Sequence, residues 1–90
     1  MDIKDLAVGQ CVEVATKNTL YVIEKLAGGN RVRVTGGSYF PEPTETVFVG
    51  STLNRYFLKE GVIEVGMNLE FHHPNKPHKS VITTKVQEIQ

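Results

Sequence analysis

The stretch Phe57–Phe71, FLKEGVIEVGMNLEF, limits the possible folds more than any other part of the chain. Gly61 and Gly66 bracket Val62, Ile63 and Val65, after which Met67, Leu69 and Phe71 alternate with Asn68, Glu70 and His72. A period of two belongs to a strand with one buried face. Met67, Leu69 and Phe71 are therefore expected in the core, with Asn68 and Glu70 toward water. Glycine-bounded apolar residues running into such a strand predict a tight reversal, because glycine takes up the positive φ angles a turn needs.

The remaining segments repeat the pattern. Asp2 is placed to cap a short helical turn carrying Ile3 and Leu6, ended by Gly9 and plugging an open end of the sheet. Val12 and Val14 alternate in Cys11–Thr16, and Lys17-Asn18 reads as a two-residue hairpin turn. Thr19–Leu26 carries Leu20 and Val22 on one face and Tyr21 and Ile23 on the other, which predicts a central strand or one covered on both sides. The turn Ala27–Asn30 then leads into Arg31–Thr35, with Val32 and Val34 inward and Arg31 and Arg33 outward. Three strands so joined form a meander.

Gly36–Glu45 is expected to be the longest loop, held extended by Pro41 and Pro43 and carrying Tyr39 and Phe40. Alternation resumes with Val47 and Val49, and Gly50-Ser51-Thr52 breaks it. A second loop, HHPNKPHKS, precedes the last strand, Val81 to Ile89, whose Ile82, Thr84 and Val86 form one face. Ile89 falls out of phase, which predicts a bulge near Gln87 or burial of both faces. The reading is an all-β chain of six or seven short strands with a short N-terminal helical turn, a small barrel or sandwich.

At 90 residues the chain makes one domain, residues 1–90, with a single core. Ten basic and ten acidic residues balance, so no global attraction for nucleic acid or an anionic membrane exists and only local patches count. No apolar run approaches the roughly 20 residues that span a bilayer, so no membrane partner is expected. MDIKDLAVGQ has acids where a signal peptide carries its basic region, which predicts a cytoplasmic protein. Cys11 is the only cysteine, excluding an intrachain disulfide and a thiolate cage, and is expected to be half-buried beside a strand.

Chemistry-bearing residues are sparse. His72, His73 and His78 share one loop with Pro74 and Pro77, yet adjacent imidazoles on extended chain diverge and no acid lies between Phe71 and Gln87. They remain the metal-binding candidates, with a solvated loop as the preferred expectation. No phosphate-cradling loop and no nucleophile, base and acid trio can be placed, so neither catalysis nor a cofactor is expected. Lys76, Lys79 and Lys85 make the segment after Phe71 locally basic, while five acids lie between Glu42 and Glu70. Tyr39 and Phe40, with Arg31, Arg33, Arg55 and these lysines, are the candidate contact residues. Aromatics interleaved with cations also describe a single-strand nucleic-acid platform, in which Tyr21 and Tyr56 would join them.

Gly50-Ser51-Thr52, GVIEVGM at Gly61–Met67, the Met67, Leu69 and Phe71 alternation and Ile82-Thr83-Thr84 before Val86 together resemble a group of short bacterial β-proteins to which no function attaches. GVIEVGMNLEF followed by ITTKVQEI is similar to the second, β-barrel domain of translational GTPases. That resemblance covers about a third of the chain and implies a barrel without the GTPase part. Taken together, an SH3-like or translation-factor-like barrel is expected, acting without catalysis as an interaction module. Its expected partner is a protein or a second copy of the chain. Nucleic acid is the second alternative, and a metal-binding or minor enzymatic role the third.

Overall fold

Turn residues shape the first half of the architecture. The structure, a computed structural model describing residues 1–76 and 78–90, is all-β. A 3₁₀ turn at Ile3–Asp5 leads into β1 (Cys11–Thr16), β2 (Leu20–Lys25), β3 (Arg31–Gly36), β4 (Phe40–Leu53), β5 (Phe57–Glu60), β6 (Asn68–His72) and β7 (Ser80–Ile89). The Thr16 amide donates to the Thr19 carbonyl at 2.8 Å, closing the Lys17-Asn18 turn. At the next turn Leu26 donates to the Arg31 carbonyl at 3.0 Å while Gly28 and Gly29 supply φ angles of +98° and +65°. The predicted meander is present.

All pairings are antiparallel, and they run in a circuit from β1 through β2, β3, β4, β6 and β7 back to β1. β5 lies outside this ring, paired along β4. Inside it sit Val14, Ile23, Val32, Val34, Phe40, Phe48, Leu69, Phe71 and Val86, all essentially without solvent contact. Phe71 is the hub, meeting Phe40 edge-on at a centroid distance of 5.4 Å and Phe48 at 5.3 Å. Each such aromatic pair adds about 0.5–1.5 kcal/mol beyond its burial. Met67, Leu69 and Phe71 do face inward, and Gly61 and Gly66 hold φ angles of +70° and +91°.

β4 corrects the sequence reading most. Instead of a loop at Gly36–Glu45 and a break at Gly50, one strand of 14 residues runs through both prolines and the glycine. Between the partner pairs Val34–Thr44 and Gly36–Phe40 the register slips, leaving Pro41, Glu42 and Pro43 against Thr35 alone. A bulge asks no N–H of a proline, and proline's fixed φ is already extended, so the strand continues. The irregular segment shrinks to Gly37-Ser38-Tyr39. A second slip falls between Phe48 and Gly50. There φ is +149° and any Cβ would overlap the Lys59 carbonyl oxygen, which leaves glycine as the residue that fits. Phe48, rather than Val47 or Val49, points into the core.

Smaller corrections share one cause, a shift of phase at a bulge or an end. β2 is a central strand, as expected, between β1 and β3, but only one face is covered, with Tyr21 and Ile23 inside and Leu20 exposed. β7 buries Val81 and Thr83 and then Val86, because the pairs Glu70–Ile82 and Asn68–Lys85 enclose an extra residue on β7. The bulge expected at Gln87 exists, since Thr16 pairs with Val86 and Ala15 with Glu88. Asp2 caps the N-terminal turn by accepting from the Lys4 amide at 3.1 Å, but the turn ends at Leu6 before Gly9 is reached. Ile3 is fully buried, its amide bonded to the Gly61 carbonyl at 2.8 Å. Cys11, expected half-buried, is exposed because it opens β1 on the outward phase.

Candidate functional site

The outer surface of the ring divides into two faces that share β4. On the β2–β3–β4 face, register sets Arg33 between Glu24 and Glu45 on the neighbouring strands. Arg33 reaches Glu24 at 2.9 Å and Arg31 reaches Glu45 at 3.1 Å. Two candidate contact residues are thus neutralised within the molecule.

The opposite face is built from β5, β4, β6 and β7. Register places Leu58 beside Thr52, Gly50 beside Glu70, and Glu70 beside Ile82. Gly50 contributes no side chain to this row. A groove of ≈ 520 Å³ opens over it, lined by Thr52, Arg55, Leu58, Glu70, Lys79, Ser80 and Ile82. Arg55 enters from the turn between β4 and β5, and Lys79 from the residue preceding β7. Neither forms an ion pair among the described residues. Glu70 accepts a hydrogen bond from the Ser80 hydroxyl at 3.0 Å. One carboxylate therefore lies in a groove with two cations, and it already holds a partner.

The turn that carries Arg55 is unusual. Asn54 and Arg55 both adopt left-handed backbone, with φ of +53° and +63°, and Tyr56 donates to the Leu53 carbonyl at 3.1 Å. Asn tolerates that region, whereas for Arg it costs about 1–2 kcal/mol. Beyond the turn, Tyr56 is 89%, Phe57 67% and Leu58 52% exposed. Among the described residues β5 has a neighbour only on the β4 side, so its other edge presents unpaired backbone groups beside three large apolar side chains. Phe57 and Leu58 were missed in the sequence because they open the organising stretch. Their signal was the absence of alternation in Phe57–Glu60.

A smaller groove of ≈ 300 Å³ lies across β7, between Ile82, Thr83 and Thr84 and the turns that carry Asn18, Thr19, Ser38 and Tyr39. Ile82 lines both grooves. Tyr39 is 55% exposed there, while Tyr21 beneath it is buried. Burial raises the Tyr21 hydroxyl above the ordinary phenol value, its hydrogen bond with Thr19 opposing the rise and nearby Tyr39 adding to it.

The other candidates separate. Phe40, expected in a contact loop, is a core residue because β4 begins with it on the inward phase. Lys85 lies opposite Asn68 on the outer surface, and Lys76 is exposed in the turn before β7. His72 ends β6 opposite Ser80, and His73 Nδ1 accepts from the Asn75 amide at 3.1 Å. Among the described residues no three His, Cys, Asp or Glu side chains gather as a metal ion would require. Pro77, read as shaping this loop, lies outside the described residues. No helix among them is long and apolar enough to cross a membrane. No protein-family model matches the chain, and no curated protein or solved structure shows significant similarity to it.

Proposed function

We propose that this protein is a non-catalytic binding module that takes up an extended segment of a protein partner along β5. The observation that carries the reading is the open edge of β5 beside exposed Tyr56, Phe57 and Leu58. Unpaired N–H and C=O groups on a sheet edge bind another strand by continuing the ladder, and large flanking side chains add apolar contact. Nucleic acid fits less well, since Arg31 and Arg33 are held by Glu45 and Glu24 and Phe40 is in the core. A lone exposed thiol at Cys11 suits a reducing compartment, in keeping with a cytoplasmic site of action.

Amide hydrogen exchange tests the reading. In the free protein the outward amides of Phe57–Glu60 should exchange rapidly, and they should become protected when a strand-forming peptide is added. Protection appearing with rising protein concentration alone would identify the partner as a second copy. Protection confined to segments other than β5 would overturn the proposal.

A further inference from the structure

The partner's chemistry can be read from the groove that adjoins β5, an inference that rests on the strand-addition reading just given. Every other arginine is held by a carboxylate of the same molecule, but among the described residues Arg55 is not. Lys79 is likewise without an ion pair among the described residues. Both line one groove, and the carboxylate that shares it, Glu70, accepts a hydrogen bond from Ser80. Arg55 belongs to the turn that delivers β5, and Leu58 of β5 forms the near wall. A strand added to β5 lies about 4.8 Å farther out, with its outward side chains in line with Leu58.

We infer that the segment bound along β5 is acidic, and that a glutamate side chain reaching over Leu58 enters the groove between Arg55 and Lys79. Arg offers a planar fork of donors that matches a carboxylate, and Lys a second point of positive charge. Two cations sharing the groove with Glu70 leave one net positive charge, which matches one carboxylate. A run of phosphates would need many more cations, on a chain whose formal charge is zero. Alternate side chains of an extended peptide point to opposite faces, so an acid at every second position presents its carboxylates to the groove face together.

The experiment uses the whole protein and fluorescein-labelled eight-residue peptides that alternate valine with glutamate, glutamine or lysine, read by fluorescence anisotropy. The glutamate peptide should bind at least tenfold more tightly than the glutamine peptide, and the lysine peptide more weakly than either. Joint Arg55→Ala and Lys79→Ala replacement should bring the glutamate peptide down to the glutamine level and leave the glutamine peptide unchanged. Equal binding of glutamate and glutamine peptides would overturn the acidic partner while leaving strand addition standing. A glutamate peptide N-methylated at every second residue, which cannot continue a ladder, should lose binding. If it binds as well as its parent, strand addition itself falls and the carboxylate seat stands alone. Oligouridylate binding more tightly than the glutamate peptide, and lost in the double variant, would assign the groove to nucleic acid and end the inference.

Discussion

The two faces that share β4 carry similar charges under different rules. Arg31 and Arg33 stand on a strand, where register brings Glu24 and Glu45 within reach from either side. Arg55 and Lys79 stand on turns, and among the described residues neither comes within ion-pair distance of a carboxylate. Arg31 and Arg33 are thus answered by the fold itself, whereas Arg55 and Lys79 are left for something else to answer. The same contrast holds for apolar groups. β3 buries Val32 and Val34 completely, while all four residues of β5 are exposed.

The comparison breaks most easily at Gly50, where β4 passes from one ladder to the other. Gly50→Val would drive a side chain into the Lys59 carbonyl and impose a φ of +149° on a β-branched residue. A loss of about 3 kcal/mol is expected from urea melts. A loss under about 1 kcal/mol would mean that β4 does not need this hinge. Leu69→Ala, directly across the inner face from Ser51, should cost about 2–5 kcal/mol. Asn68→Ala should cost about 1 kcal/mol, because the Asn68 amide donates to the Thr83 carbonyl at 2.6 Å.

Opposite signs are expected for the two arginine types. Arg33→Ala removes a partly exposed ion pair and should destabilise by about 0.2–1 kcal/mol. Arg55→Gly relieves left-handed strain and should stabilise by about 0.5–1 kcal/mol. If both substitutions destabilise alike in thermal melts, the distinction between Arg33 and Arg55 fails.

The smallest effect is one of pH, at the smaller groove. Tyr21 holds its proton more tightly folded than unfolded, so the folded state binds more protons once pH passes the ordinary phenol value of 10.0. Stability therefore declines as pH rises through that value. Tyr21→Phe should flatten this part of the curve, and an unchanged slope in denaturant titrations would show that the hydroxyl is not buried in solution.

Strands defined by their own alternation were legible from residues alone. β1 matched at both ends, and β3 and β6 in their inward faces, because a period of two is local information. β4 was not legible. Pro41, Pro43 and Gly50 each end a strand considered singly, and what rescues them is a bulge that exists only once β3 and β6 are alongside. The groove was half legible for the same reason. Arg55 and Lys79 stood out as cations, but their meeting depends on the ladders from β4 through β6 to β7. Glu70 and Leu58 gained meaning only when those ladders placed them on the groove side.

One seam of the ring has consequences for the order of folding. β1 meets β7 through Val14, Ala15 and Thr16, with a bulge between the last two, and Glu13 extends the seam by exchanging backbone hydrogen bonds with Gln90, so the partners lie near opposite ends of the chain. Hairpins close within microseconds, but a contact between such distant residues carries nearly the full loop-closure entropy of the chain until the intervening ladders have formed. Ring closure is therefore expected to come late. A molecule opened along this seam would keep β5, β4, β6 and β7 as one contiguous sheet, and with it the surface bearing Arg55 and Leu58.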